Sequence, residues 1–138
     1  MEAKRKALII ADEETLASAS LLAAQIRAAE GLPYGASVVP AAEFSETDLL
    51  AAEVFFLGCS RPSPESFRRI EGMLARANFA GRSCGVFSKS ASALEYLSKI
   101  LKASDVFVAR ARLGEGAWPR ELVEGALRGG AKIERHQS

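Results

Sequence analysis

At 138 residues with 49% apolar side chains, the chain is long enough to bury a core without disulfide or metal staples, and one domain over residues 1–138 is expected. Its 18 basic and 17 acidic residues leave a formal charge of +1, too weak a field to draw a protein onto phosphate backbones, so nucleic acid is not an expected partner. The first apolar run, Ala7 to Ala11, is only five residues long and meets Asp12, Glu13 and Glu14, which is too short for a signal-peptide core; nothing later approaches a membrane span.

Taken in chain order, short β-rich runs alternate with stretches of helical spacing. The strands are expected at Ala7 to Ala11, Ala36 to Val39, Val54 to Gly58, Ser83 to Ser88 and Val106 to Arg110. Several are apolar on both sides, as strands covered by helices on each face should be. Between and after them, apolar residues recur with helical spacing: Leu22 and Ile26, then Phe67, Ile70, Leu74 and Ala77, then Leu94, Leu97 and Leu101, and last Leu122 and Ala126. Helix starts are marked by Ser63 before Pro64, by Pro119 after Trp118, and by Ser45 with Asp48 as a short capping-box-like turn; Gly129 and Gly130 end the last helix. Between strands two and three the spacing supports a turn at most. From about Glu134 the chain becomes a polar tail.

Such alternation predicts an α/β fold of three layers, a doubly wound parallel five-stranded sheet of order 2-1-3-4-5. Ligands of such sheets bind beyond the carboxyl ends of the strands, where the order reverses between strands one and three. Three loops meet there: Asp12 to Ser18, Cys59 to Glu65, and Lys89 to Ser92.

Few residue types with chemistry of their own reach this crevice. The only histidine, His136, lies in the polar tail, and no nucleophile, base and orienting residue can be assembled, so no catalytic residue is assigned. Cys59 and Cys84 lack Cys-x-x-Cys spacing. They fall at opposite ends of neighbouring strands, too far apart for a disulfide, and are expected as free thiols in a reducing cytoplasm with no structural metal. Anion-binding capacity is expected from Ser88, Lys89 and Ser90 at a helix start, with Arg61 on the neighbouring loop; the plainer reading of Ser90 or Ser92 is ordinary N-capping. Trp118 reads as a packing or helix-entry residue.

The runs Leu49-Leu50-Ala51-Ala52-Glu53-Val54-Phe55-Phe56-Leu57-Gly58-Cys59 and Ala80-Gly81-Arg82-Ser83-Cys84-Gly85-Val86-Phe87-Ser88 resemble the middle of flavodoxins and related flavoproteins. The resemblance implies a flavodoxin-like fold and a site for flavin mononucleotide (FMN), its phosphate held in the loop after strand one and its ring along the loops at Ser60 and at Ser88 to Ser90. Thr15 and Ser18 would supply hydroxyls to the phosphate. Leu16 stands where the family commonly has Gly, and Glu13 where it commonly has a hydroxyl. A carboxylate about 4 Å from a phosphate charge costs about 4 kcal/mol at an effective dielectric of 20. The short loop Cys59 to Pro64 offers no Trp or Tyr to stack on a flavin ring, and Trp118 is not read as a flavin platform.

A second resemblance, of Ile9-Ile10-Ala11-Asp12-Glu13-Glu14 to the opening of a response-regulator receiver, implies an acidic pair for Mg²⁺, but Gly58 stands where the phosphoacceptor aspartate should be. The expected function is therefore a flavodoxin-like, non-catalytic binding or regulatory module with a degenerate flavin site and a protein partner. The alternative is an FMN-binding electron-transfer flavoprotein. A receiver lacking its phosphoacceptor comes third.

Overall fold

The computed structural model describes residues 5–29, 34–79, 82–104, 107–114 and 116–127. Five strands form one sheet: β1 (Arg5–Ala11), β2 (Tyr34–Pro40), β3 (Val54–Gly58), β4 (Ser83–Ser88) and β5 (Phe107–Leu113). Their order is β2-β1-β3-β4-β5 and every pairing is parallel. The helices are α1 (Leu16–Ala28), α2 (Glu46–Ala51), α3 (Arg68–Arg76), α4 (Ala91–Lys102) and α5 over residues 120–127. None of the described helices is long and apolar enough to cross a membrane.

Alternation along the strands sends apolar side chains into two separate cores. Ala7, Ile9 and Ala11 of β1 face α1, whose Ala19, Leu22, Ala23 and Ile26 recur on one helical stripe and meet Val123, Ala126 and Leu127 of α5. Leu8 and Ile10 face the other way, onto Leu49 of α2, Ile70, Met73 and Leu74 of α3, and Ala93, Tyr96, Leu97 and Leu101 of α4. Both faces of β3 and β4 are consequently covered, and every residue in those two strands is buried.

On the α1 side, large and small residues interlock across β3 and β4. Phe56 lies opposite Gly85, and Phe87 opposite Gly58. A β-carbon on Gly58 would fall 2.4 Å from Phe87 Cζ, and one on Gly85 2.6 Å from Phe56 Cδ2, so each glycine is the socket for a neighbouring ring. Trp118 stands edge-on to both rings, with centroids 5.6 Å from Phe56 and 5.8 Å from Phe87. The Gln25 side-chain amide fixes it there, donating to the Trp118 carbonyl at 2.7 Å and accepting from its N–H at 2.9 Å. Trp118 is thus the packing residue its sequence context suggests.

β3 and β4 have the expected bounds, whereas three strands run further than apolar content alone indicates. β1 begins at Arg5, β2 spans Tyr34–Pro40 instead of Ala36 to Val39, and β5 continues to Leu113 beyond Arg110. Val106, Gly129, Gly130 and the tail from Glu134 lie outside the described residues. Pro40 is tolerated because β2 is an edge strand, where a missing N–H need not break a ladder.

The crossover from β2 to β3 is also corrected. It holds a 3-10 turn, Ala41–Glu43, and the six-residue helix α2 where a turn at most was expected. Glu46 and Asp48 favour the start of α2 through its dipole, and buried Leu49 anchors it, but the Ser45 side chain makes no capping hydrogen bond. Ser63 caps nothing either. It stands at φ 50° between two prolines, a 3-10 turn at Glu65–Phe67 follows, and α3 begins only at Arg68.

Candidate functional site

The order of the sheet reverses between β1 and β3, and the loops after these strands meet over their carboxyl ends. β1 passes almost directly into a helix. Asp12 is extended, Glu13–Thr15 form a 3-10 turn, and α1 follows at Leu16, with the Thr15 N–H donating to the Asp12 carbonyl at 3.0 Å. The first loop is therefore wound tightly and does not spread into an open cradle.

Asp12 organises this region. Only 7% exposed, its carboxylate accepts from the Thr15 hydroxyl at 2.5 Å on Oδ1, and from both the backbone N–H and the hydroxyl of Ser60 at 2.8 Å on Oδ2. Its own N–H donates to the Gly58 carbonyl at 3.2 Å, which extends the ladder between the strands by one bond. A carboxylate removed from water needs such donors, and hydrogen bonds to a charged acceptor contribute about 1.5–3 kcal/mol each.

The remaining hydroxyls expected at the site are engaged within the chain. Ser18 Oγ accepts from the Gly116 N–H at 3.2 Å, joining the start of α1 to the loop after β5. Ser88, 1% exposed, accepts from the Ser90 N–H at 3.0 Å on its hydroxyl and from the Gly114 N–H at 2.8 Å on its carbonyl. Ser90 is the N-cap of α4, accepting from the Ala93 N–H at 3.3 Å, with its hydroxyl 2.9 Å from that of Ser92. Arg61 and Lys89 are exposed.

A cleft of about 370 Å³ lies on the α3 side of these loops, lined by Asp12, Glu13, Glu14, Ala42, Arg61, Pro64, Glu65 and Ser66. Glu13, Glu14 and Glu65 are exposed, so Arg61 is outnumbered by carboxylates on its walls. Cys59 lies buried beside the network as a free thiol. Burial pushes its pKa up to about 12, with the nearby Asp12 charge adding to the effect, so it is no thiolate at neutral pH. Cys84, free and fully buried, is raised well above the usual thiol range by the same cause.

These residues do not fit FMN in the manner the resemblance implies. The Thr15 and Ser60 hydroxyls, which would have to donate to a phosphate, donate to the Asp12 carboxylate at the reversal point, while Ser18, Ser88 and Ser90 are tied to backbone N–H groups as acceptors. Every aromatic side chain described is buried in one of the two cores, so none offers a free face for a flavin ring. The receiver chemistry fits no better. Gly58 has no room for a β-carbon, let alone an aspartate, unless Phe87 moves, and among the described residues no three His, Cys, Asp or Glu side chains are placed to hold a metal ion.

The Asp12 to Ser60 contact was not foreseen. Asp followed three residues later by Thr is a local turn signal, but Ser60 lies 48 residues away and nothing in either segment announces the partner.

No protein-family model matches the chain, and no curated protein matches it. Solved structures do. The flavodoxin of Streptococcus pneumonia TIGR4 superposes with a TM-score of 0.68 at 14% identity, covering 95% of this chain and 98% of that one. Oxidised flavodoxin 2 from Bacillus cereus gives 0.67 at 16% identity, covering 95% and 99%. Two-electron reduced Megasphaera elsdenii flavodoxin gives 0.62 at 18%, covering 88% and 98%. Agreement over nearly the full length of each structure, with the strand order and layers described above, establishes that this chain has the flavodoxin-like fold.

Proposed function

We propose that the chain is a non-catalytic binding or regulatory module on the flavodoxin-like fold, with a protein partner recognised at the acidic rim of the crevice. The observation that carries this reading is the internal use of the expected flavin-binding hydroxyls, together with the buried Asp12 carboxylate between the loops. A flavin phosphate would have to take the Thr15 and Ser60 donors from Asp12 and approach a negative charge. The exposed Glu13, Glu14 and Glu65 give the rim a polarity suited to a basic protein surface.

A second reading is an FMN-binding electron-transfer protein. It is favoured by the full-length similarity to flavodoxins and by the gathering of Thr15, Ser18, Ser60 and Ser90 around one end of the sheet. In that case bound flavin would supply the redox chemistry and the chain would orient it and exclude water.

Absorbance of the freshly purified protein, followed by an FMN titration read by fluorescence quenching, separates the two. The module reading expects a colourless protein that leaves flavin fluorescence unchanged at high protein concentration. A flavin spectrum on purification, or saturable quenching, would replace it with the electron-carrier reading.

A further inference from the structure

We infer that Asp12 is a resident anion, a side-chain carboxylate that takes the place of an oxyanion ligand at the reversal point of the sheet and latches the loops after β1 and β3 together. The donors around it are those that hold a bound oxyanion: two hydroxyls and a backbone N–H. They come from both sides of the reversal, Thr15 from the loop after β1 and Ser60 from the loop after β3.

A simpler role would make Asp12 a turn residue leading into α1. That role needs only the local contact to Thr15, three residues on. It does not require the two further bonds from Ser60, which consume a backbone N–H and a hydroxyl of a different loop. The carboxylate is buried, and its partners Thr15 and Ser60 are uncharged hydrogen-bond donors, not cations. Dipoles converging on a charge are the means by which polypeptide loops hold anions. Anionic ligands are consequently met by a like charge that already commands the donors they would need.

This inference rests on the proposed absence of flavin binding, yet its test is separate. Asp12→Ala in the full chain removes the carboxylate and leaves the Thr15 and Ser60 donors unsatisfied. Thermal melting is compared in inorganic phosphate and in chloride at matched ionic strength. The wild-type protein should show only the general stabilisation that an excluded, kosmotropic salt gives over chloride. The variant should melt lower in chloride and recover part of the loss in phosphate, by roughly 4 °C beyond the wild-type shift once phosphate reaches about ten times its dissociation constant. If Asp12→Ala does not fold, Asp12→Ser retains a turn-forming side chain without the charge, and the same recovery is expected.

A folded variant whose melting is indifferent to phosphate would reduce Asp12 to a turn residue and overturn the inference. So would a wild-type protein that phosphate stabilises as much as the variant. FMN binding by the wild type would sink the functional reading, whereas failure of phosphate recovery in the variant, with a wild type that ignores flavin, sinks only the latch.

Discussion

Gly58 and Gly85 each give up a side chain so that a neighbour can fill the space. Their β-carbon positions are taken by the rings of Phe87 and Phe56, across adjacent strands, with Trp118 against both. Substitution of either glycine therefore acts through packing. Gly85→Ala puts a methyl group 2.6 Å from Phe56 Cδ2 and 3.5 Å from the Trp118 ring, and both strands are buried on their two faces, so the rings have little room to retreat. Overpacking of this kind costs about 1–3 kcal/mol. Urea denaturation should show the midpoint fall by that free energy divided by the slope, with the slope unchanged. An unaltered midpoint would mean that the Phe56 ring has an alternative rotamer, and that the interlock contributes little.

Edge strands are a hazard for an open sheet, because their outer N–H and C=O groups can recruit another chain. β5 meets β4 through an irregularity, with Cys84 opposite Val108 but Gly85 opposite Arg110, and such a bulge disrupts further pairing. β2 has no charged residue in its seven, Tyr34–Pro40. Its protection includes Pro40 at one end and Arg27, which reaches from the last turn of α1 to donate to the Ala36 carbonyl at 2.8 Å. Arg27→Met keeps an aliphatic stem over the strand and removes the donor. It should cost about 0.5–1.5 kcal/mol and increase self-association, read as concentration-dependent sedimentation. A variant as monodisperse as the wild type would show that water serves the Ala36 carbonyl equally well. The same strands mark how far elements can be read in a sequence. β3 and β4 were legible to the residue, because strands covered on both faces are short, mostly apolar runs set between charged or turn-forming residues. β1, β2 and β5 extend into Arg5, Pro40 and Arg112, which apolar content does not mark. α2 was missed because six residues bury one leucine, too few for a periodicity to appear. At the site, the Ser90 cap was readable locally, whereas the grip of Ser60 on Asp12 depends on two loops that only the folded sheet brings together.

At the scale of the whole molecule, two cores on opposite faces of one sheet enclose several groups that ionise in alkali. Burial is the largest cause of the raised pKa of Cys59, Cys84, Tyr96 and Tyr34, and Cys59 reaches about 12 from an ordinary value of 9.0. In each case the folded state keeps a proton that the unfolded chain releases earlier. Stability from these groups is thus fully present below pH 9.0 and is lost as pH climbs from there toward about 12, where Cys59 ionises in the folded protein. Between those limits each buried thiol removes at most about 1.4 kcal/mol per pH unit, and the tyrosines add to the loss above about pH 10. Denaturant unfolding at a series of pH values should accordingly show a midpoint that falls ever more steeply above pH 9.0. Cys59→Ala should lower stability at neutral pH by its lost packing yet flatten the alkaline decline, so the two curves converge as pH rises. Parallel curves for the variant and the wild type would assign the alkaline loss to Cys84 and the tyrosines, and would mean that water reaches Cys59 despite its position under the Asp12 latch.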